Sequence, residues 1–501
     1  MKKLMTLALA AGMLLGVATG ASAIDFKAKG QWLMGFSAGD GSLVSHTKTN
    51  KASNHNKAAD TDDIFSASQR LRLQLDAVAS EALSGTVFFE IGDTNWGKNS
   101  NGGAMGADQR IVELKNAYID WMVPNTDLKF RMGIQGIQLP NVAGGSAILD
   151  DDVAAITASY QFNENVALTA MWARPYNDNY SSRADRVNYH DNMDLFALMV
   201  PLTFDGVKVT PWAMYGMAGA NTNTLTSTAP YARYANGGDT FAFDPSSTSK
   251  AYGSMFWAGL PISLTLWDPL NVELDINYGY VESMGRYQAE RYGSAADFRM
   301  GDTKREGWLV KALVEYKMDW GTPGIFGWYA SGDDGNVKNG SERMPSISGC
   351  GNFMSFMGDG NYGWSTSDSL YDRNMTYAGT WGIGLRIHDL SFVEDLKHSF
   401  RVAYWGGTNS PSMAKYVNSS YGWQNFNNDG NYGEKDGPYL TTNDGLLEFN
   451  LVNSYQIYEN LEANLELGYI VNLVDDDTWK RSDSYKKQDA WKAQLIFAYS
   501  F

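Results

Sequence analysis

The segment that most constrains the fold is the last one, from Asp489 to Phe501. Every second position is apolar or aromatic, at Trp491, Ala493, Leu495, Phe497, Tyr499 and Phe501. The residues between them are mixed and partly charged. A period of two predicts a β-strand with two unlike faces. Because about 9–11 tilted residues suffice to cross a bilayer, we interpret the segment as the closing strand of a transmembrane β-barrel, with one face toward lipid and the other toward a lumen.

The other end of the chain carries an export signal. Lys2 and Lys3 precede an apolar run from Leu4 to Val17, and the small-x-small pattern Ala21-Ser22-Ala23 follows. This predicts a signal peptide over residues 1–23, cleaved after Ala23. No later segment contains about 18 uninterrupted apolar residues, the length of a membrane helix. We therefore expect residues 24–501 to form one barrel domain that spans the membrane with strands.

Period-two runs recur along the chain and are joined alternately by short turns and long polar connections. The turns have Asn, Asp, Gly or Pro chemistry, as in Asp205-Gly206 and Glu459-Asn460, which is the signature of β-hairpins. In a bacterial barrel the short turns are periplasmic and the long loops external. The pattern predicts an all-β, antiparallel up-and-down transmembrane barrel of about 18 strands. Sixteen strands is the alternative, because predicted boundaries carry errors of about 2–4 residues.

Composition excludes several other classes of function. The formal charge of -16 makes nucleic acid an improbable partner, because phosphate binding requires a basic surface. None of the five histidines lies in a Gly-x-Ser-x-Gly or His-Glu-x-x-His motif, so we expect no catalytic residues and no enzyme. No EF-hand spacing is present. We therefore predict neither a cofactor nor a metal.

Basic residues fall on the faces predicted to point inward. A buried charge requires a partner, whereas the lumen of a wide barrel holds water. This pattern favours a channel over a filled barrel. The predicted basic pore-wall residues are Lys27, Lys29, Arg70, Arg72, Lys115, Lys129 and Arg131.

The segment after the fifth predicted strand, residues 137–152, is a candidate pore-constricting loop. It contains Pro140 and Gly144-Gly145 and ends on Asp150, Asp151 and Asp152. One interpretation is an external acidic loop, since acidic surface loops are common. The other is a loop folded into the lumen, whose aspartates face the basic wall and screen solutes by charge and size.

With these features together, the chain resembles the bacterial general porins. More narrowly, it resembles the outer membrane homotrimeric porins of Desulfovibrio-type sulfate-reducing bacteria. The resemblance is carried by Ile24–Phe36, Leu128–Asp152 and Trp491–Phe501. It implies a homotrimer of water-filled barrels among outer membrane lipid and lipopolysaccharide. It also implies that the barrel-assembly machinery reads Phe501, Tyr499 and Phe497 as an assembly signal.

We therefore predict an outer membrane porin for passive diffusion of ions and small hydrophilic solutes. Two alternatives stay open. A substrate-selective outer membrane channel would show saturable uptake of one solute. A structural or adhesive barrel would conduct nothing.

Overall fold

The structure is a computed structural model that describes residues 24–43, 46–50, 55–59, 63–106, 112–177, 192–219, 252–291, 294–351, 353–356, 361–366, 377–416, 439–479 and 487–501. The predicted signal peptide, 1–23, lies outside these residues. Among the described residues, no helix has the length and apolar character needed to cross a membrane.

Eighteen antiparallel strands form a closed barrel, as the sequence predicts, and the alternative of sixteen is wrong. In chain order they are β1 Asp25–Asp40, β2 Ile64–Ser80, β3 Leu83–Asn95, β4 Val112–Met122, β5 Leu128–Gln138, β6 Asp150–Gln161, β7 Ala167–Asn177, β8 in two parts (Asn192–Met199 and Leu202–Phe204), β9 in two parts (Val207–Val209 and Trp212–Gly219), β10 Tyr252–Trp267, β11 Leu270–Val281, β12 Arg305–Tyr316, β13 Thr322–Ala330, β14 Thr380–Val393, β15 Leu396–Gly407, β16 Gly445–Tyr458, β17 Leu461–Asn472 and β18 Ala490–Ser500.

Each strand pairs with its neighbour in sequence, and the first strand closes the ring against the last. Trp32 of β1 lies opposite Tyr499 of β18, and Gly30 and Phe501 exchange two backbone hydrogen bonds of 2.8 and 3.0 Å. The ring of Phe501 covers Gly30, where a Cβ would lie 2.4 Å from its Cζ. The absence of a side chain at Gly30 therefore lets the final aromatic ring pack flat on the first strand.

The two faces of β18 are as unlike as the sequence predicts. Lys492, Gln494 and Ile496 are buried inside the barrel, whereas Tyr499 and Phe501 are exposed on its outer surface. The outer face of the barrel is thus apolar, and the polar residues of the wall point inward.

Short turns and long connections alternate around the ring. Single short turns such as 205–206, 268–269 and 459–460 join strands within hairpins. Residues 394–395 also form a short turn, because β14 and β15 extend further than the sequence pattern indicates. We call the two ends of the barrel the short-turn end and the long-loop end.

Prolines interrupt two strands without opening the barrel. The breaks in β8 and β9 lie at Pro201 and Pro211, and the amide of Val200 donates to the carbonyl of Pro211 across the gap (3.0 Å). Pro261 stays in the ladder opposite Asp275. A proline removes one ladder donor, and here the carbonyl groups of Pro211 and Pro261 still accept hydrogen bonds.

The described parts of the long connections contain a few short regular elements. Two hairpins pair apart from the barrel, His46–Asn50 with His55–Ala59 and Arg286–Arg291 with Ser294–Asp302. The described helices are 3-10 turns at Asn99–Asn101 and Pro411–Tyr416 and one α-helical turn at Asp476–Trp479.

A large part of the barrel interior is packed with side chains. Phe326 and Trp328 of β13 and Trp405 of β15 meet Phe353 and Tyr377 from the connection between β13 and β14. Trp328 lies 4.3 Å from Trp405 and Phe326 4.7 Å from Phe353, between ring centroids. This aromatic core corrects the expectation of a wide water-filled lumen, because two connections fold inward and fill much of it.

Candidate functional site

One of these inward connections is the inserted segment, residues 139–149, which joins β5 to β6. Its base continues the β5–β6 ladder, with the amide of Leu139 donating to the carbonyl of Leu149 (3.0 Å). Its tip contacts the inner face of β11, where the amides of Val142 and Ala143 donate to Oδ2 of Asp275 at 3.1 and 2.9 Å. Because Asp275 is 1% exposed on the inner wall, this segment lies inside the barrel.

A buried ion pair holds the tip of the inserted segment. Nζ of Lys311 on β12 lies 3.3 Å from Oδ2 of Asp275 and also donates to the carbonyl of Gly145. The hydroxyl of Tyr377 donates to the carbonyl of Gly144 (3.1 Å), and Nε1 of Trp212 donates to that of Pro140 (3.1 Å). The segment is thus fixed by its backbone to groups on several strands and on a second connection.

Gly144 is needed at this tip for two reasons. Its φ of +65° lies in the left-handed region, which residues with a Cβ rarely adopt. A Cβ there would also lie 2.5 Å from the ring of Phe353. Any other residue would strain the backbone and displace the aromatic core.

The three predicted acidic residues lie at the base of the inserted segment, where the chain re-enters the wall as β6. Asp150 accepts from Nε2 of Gln138 (2.7 Å), and Asp151 accepts from the hydroxyl of Ser348 (2.7 Å). Asp152 pairs with Lys115 and accepts from Nδ2 of Asn116 (2.8 Å). All three carboxylates are thus hydrogen-bonded, with Asp150 and Asp152 half-buried and Asp151 exposed.

Lys115 reaches Asp152 because β4 carries an irregularity. Phe88 of β3 pairs with Asn116 and Phe89 pairs with Leu114, so Lys115 is an extra residue in the ladder. Such a β-bulge re-aims a side chain. Of the basic and acidic residues predicted to face each other, the described contacts join Lys115 to Asp152.

The other predicted basic residues have different surroundings. Arg72 pairs with Glu90 (2.6 Å), and Arg131 makes two bonds of 2.8 Å to Asp120. The remaining positions fall into two groups. Arg70 is buried with its guanidinium 5.6 Å from the ring of Trp364, whereas Lys27, Lys29 and Lys129 are exposed and Lys27 lies 3.8 Å from Asp25.

Part of the connection between β13 and β14 forms a second inward element, which we call the strap (residues 353–356 and 361–366). Its backbone binds the inner faces of β16 and β17. The amide of Ser355 donates to Asn450 (2.8 Å), that of Phe356 to Glu448 (3.1 Å), and that of Asn361 to Glu466 (3.2 Å).

The strap also accepts bonds from β18. Nζ of Lys492 donates to the carbonyl of Ser355 (2.6 Å), and Nε2 of Gln494 donates to that of Trp364 (3.0 Å). Lys492 lies 3.6 Å from Glu466, and both side chains are almost fully buried. These inward charges are therefore covered by protein backbone and not by water, a role that sequence reasoning missed.

Two of the cavities among the described residues adjoin the inserted segment. The upper cavity, about 260 Å³, is lined by Leu149, Asp151, Asp152, Arg174, Tyr176 and Ser348 among others. The lower cavity, about 580 Å³, lies beneath the tip, toward the short-turn end, and is lined by Val142, Gly144, Glu273, Glu315, Arg386 and Arg401 among others. The inserted segment thus contributes to the lining of both cavities, of which the upper is mainly apolar and the lower mainly polar.

Glu342 in the connection between β13 and β14 has an altered acidity. It accepts from the amide of Asp334 and from Nδ2 of Asn339, both at 3.1 Å. Burial raises the pKa of Glu342 to about 7, and the nearby carboxylates of Asp333 and Asp334 add to this shift. The connection therefore contains a group that titrates near neutral pH.

Comparison with known proteins identifies the fold and no sequence family. No family model and no curated protein matches the chain. Among solved structures, Pseudomonas aeruginosa OccK8 (OprE) is similar at 11% identity and a TM-score of 0.50, over 95% of this chain and 98% of that one. Acinetobacter baumannii OccAB2 is similar at 11% identity and a TM-score of 0.50, over 96% and 99%. A BenF-like porin from Pseudomonas fluorescens Pf-5 gives 10% identity, a TM-score of 0.48, and 95% and 98%.

Proposed function

We propose that the chain is an outer membrane porin that admits small hydrophilic solutes by passive diffusion. The single observation that carries the proposal is the inserted segment, which folds into a closed 18-strand barrel and lies above a cavity with a mainly polar lining. The apolar outer face suits lipid and lipopolysaccharide, and the polar lining of the lower cavity suits hydrophilic solutes.

Substrate selectivity is the finer form of the proposal that the interior favours. The strap and the aromatic core cover much of the wall from β13 to β18, leaving cavities of about 260 and 580 Å³. Narrow, polar compartments discriminate solutes by size and by contacts with their walls. The protein is thus a more restrictive channel than a wide general pore.

Conductance tests the proposal directly. Purified protein added to a planar bilayer is expected to produce stepwise ion currents. Absence of current from folded protein, judged by its heat-modifiable mobility in gels, would instead favour the structural or adhesive barrel.

Ion preference tests the role of Asp150, Asp151 and Asp152. Replacing all three with Asn removes negative charge at the base of the inserted segment, where Asp151 and Asp152 line the upper cavity, so the reversal potential in a salt gradient is expected to shift toward anions. The matched control replaces Asp475, Asp476 and Asp477, a second acidic triplet near an outer helical turn, and is expected to leave the potential nearly unchanged. Equal shifts in both variants would show that Asp150, Asp151 and Asp152 do not determine the ion preference.

Biogenesis and assembly form a separate part of the proposal. Export is proposed from the signal-peptide pattern of residues 1–23. The resemblance to Desulfovibrio-type porins is the basis for proposing a homotrimer and recognition of Phe497, Tyr499 and Phe501 by the barrel-assembly machinery. The outward position of the aromatic rings of Tyr499 and Phe501 on β18 supports the assembly signal, since a partner can reach them from the lipid side.

A further inference from the structure

We propose that the lower cavity is a binding site for a small zwitterion, a solute that carries one carboxylate and one ammonium group, such as an α-amino acid. The inference rests on the proposed channel function and names the class of solute. The cavity volume of about 580 Å³ lies within the range typical of small-molecule sites, about 300–1,000 Å³.

The charges of the cavity are arranged along one row of the wall. Strand register places Glu315 of β12 opposite Gly324 of β13, Gly324 opposite Arg386 of β14, and Arg386 opposite Arg401 of β15. Because Gly324 has no side chain, Glu315 reaches across β13 to Arg386, with a shortest N–O distance of 2.7 Å. A Cβ at Gly324 would lie 2.7 Å from Cγ of Glu315, so the bridge depends on this glycine.

The row has an electropositive side. Arg386 and Arg401 are directly opposite each other on neighbouring strands and both point inward. Like charges in that arrangement repel; the ion pair of Arg386 with Glu315 offsets part of this repulsion, and an anion placed between the two guanidinium groups reduces it further. Arginine also has the planar fork geometry that binds a carboxylate through two parallel hydrogen bonds. This side suits the carboxylate of a solute.

The opposite side is electronegative. Glu273 of β11 lines the cavity with Glu315 and accepts a hydrogen bond from Nδ2 of Asn271 (3.1 Å). An ammonium group is a compact cation with three donors, which suits such an oxygen cluster. This side suits the amine of the same solute.

The total charge of the lining argues against a simple ion. Three carboxylates (Glu273, Glu315 and Asp389) and three cationic side chains (Lys317, Arg386 and Arg401) line the cavity, which gives a formal charge of zero. A monovalent ion would give the occupied cavity a net charge. A zwitterion places one charge on each side of the cavity and leaves its net charge at zero. Val142 and Leu313 provide an apolar part of the lining, which limits the length of the solute.

Flux into proteoliposomes tests the site with three probes of equal heavy-atom count: alanine, lactate and lactamide. They are a zwitterion, an anion and a neutral molecule. We expect alanine flux to saturate, and lactate and lactamide flux to rise linearly with concentration. Arg401→Gln and Glu273→Gln should each raise the half-saturating alanine concentration about tenfold, as the loss of one charge-assisted contact predicts.

Lys208→Gln is the matched control, since it removes an exposed cationic side chain from β9, outside the cavity lining, and should leave saturation unchanged. Glu273→Gln keeps the test valid if Arg401→Gln fails to fold. Linear alanine flux equal to that of lactamide would refute the site and leave the channel intact. Saturation unaffected by either variant would also refute it. Exclusion of all three probes from folded protein would refute the channel and the site together.

Discussion

Replacing Lys311 with Met tests whether the buried ion pair holds the inserted segment in place. The Met side chain fills similar space but leaves the Asp275 carboxylate buried, with the amides of Val142 and Ala143 as its remaining donors among the contacts described above. Removing one partner of a buried pair costs about 3–5 kcal/mol. The Asp275 carboxylate becomes hydrated only when the tip of the segment withdraws from it. The substitution therefore destabilises the inserted position of the segment relative to a withdrawn position.

The size of the effect follows from that energy. Since about 1.4 kcal/mol is a tenfold change in an equilibrium constant, a cost of about 3–5 kcal/mol should lower the relative population of the inserted position by roughly two to three and a half orders of magnitude. Single-channel recordings of Lys311→Met are therefore expected to show higher conductance with frequent transitions, and larger solutes should enter proteoliposomes.

Two further variants complete this test. Lys208→Met changes an exposed lysine and should conduct like the wild type. The double variant Lys311→Met with Asp275→Asn has no unpaired buried charge and keeps one acceptor oxygen for the segment amides. It should recover much of the wild-type conductance. If Lys311→Met alone matches the wild type in conductance and in unfolding temperature, the ion pair does not hold the segment.

Two other variants test features of the inward connections. Gly144→Ala should lower the free energy of unfolding in urea by about 1–3 kcal/mol, because the new Cβ overpacks against Phe353. The control is Gly97→Ala, where φ is +86° but nothing lies within 4 Å of an added Cβ, and it should lose less. Equal losses in the two variants would exclude the clash as the cause. Glu342 has a pKa raised to about 7, so the folded state holds a proton that the unfolded state releases, and stability should fall as the pH rises through about 7. Glu342→Gln should remove this fall, and a wild-type unfolding temperature unchanged between about pH 5 and pH 8.5 would contradict the expectation.

The wall of the barrel was predictable because lipid imposes a simple rule on it. Outward residues such as Tyr499 and Leu495 must be apolar, so alternation in β18 identifies both the strand and its faces. The alternation of short and long connections gave the strand number. The β14–β15 hairpin is harder to delimit from sequence, because the alternation fades near Asp389 and Asp395, which both adopt positive φ.

The interior was less predictable because the sequence does not show whether an inward polar residue contacts water, another side chain or backbone. Glu448 and Glu466 fit a water-filled lumen, yet they bind backbone amides of the strap. Arg72 and Arg131 likewise have partners on adjacent strands, which only the exact register reveals. No sequence pattern predicts the strap, because the residues that bind it are distant from it in the sequence.

The strap also divides the wall into regions of unequal tolerance to mutation. On β16–β18, a substitution at Asn450, Glu466 or Lys492 removes a partner of a buried backbone group, so it unseats the strap as well as changing one side chain. The β11–β15 region around the lower cavity has side chains that meet open space. Substitutions that adapt the proposed channel to new solutes would therefore accumulate in the β11–β15 region, while the strap-binding residues of β16–β18 are retained.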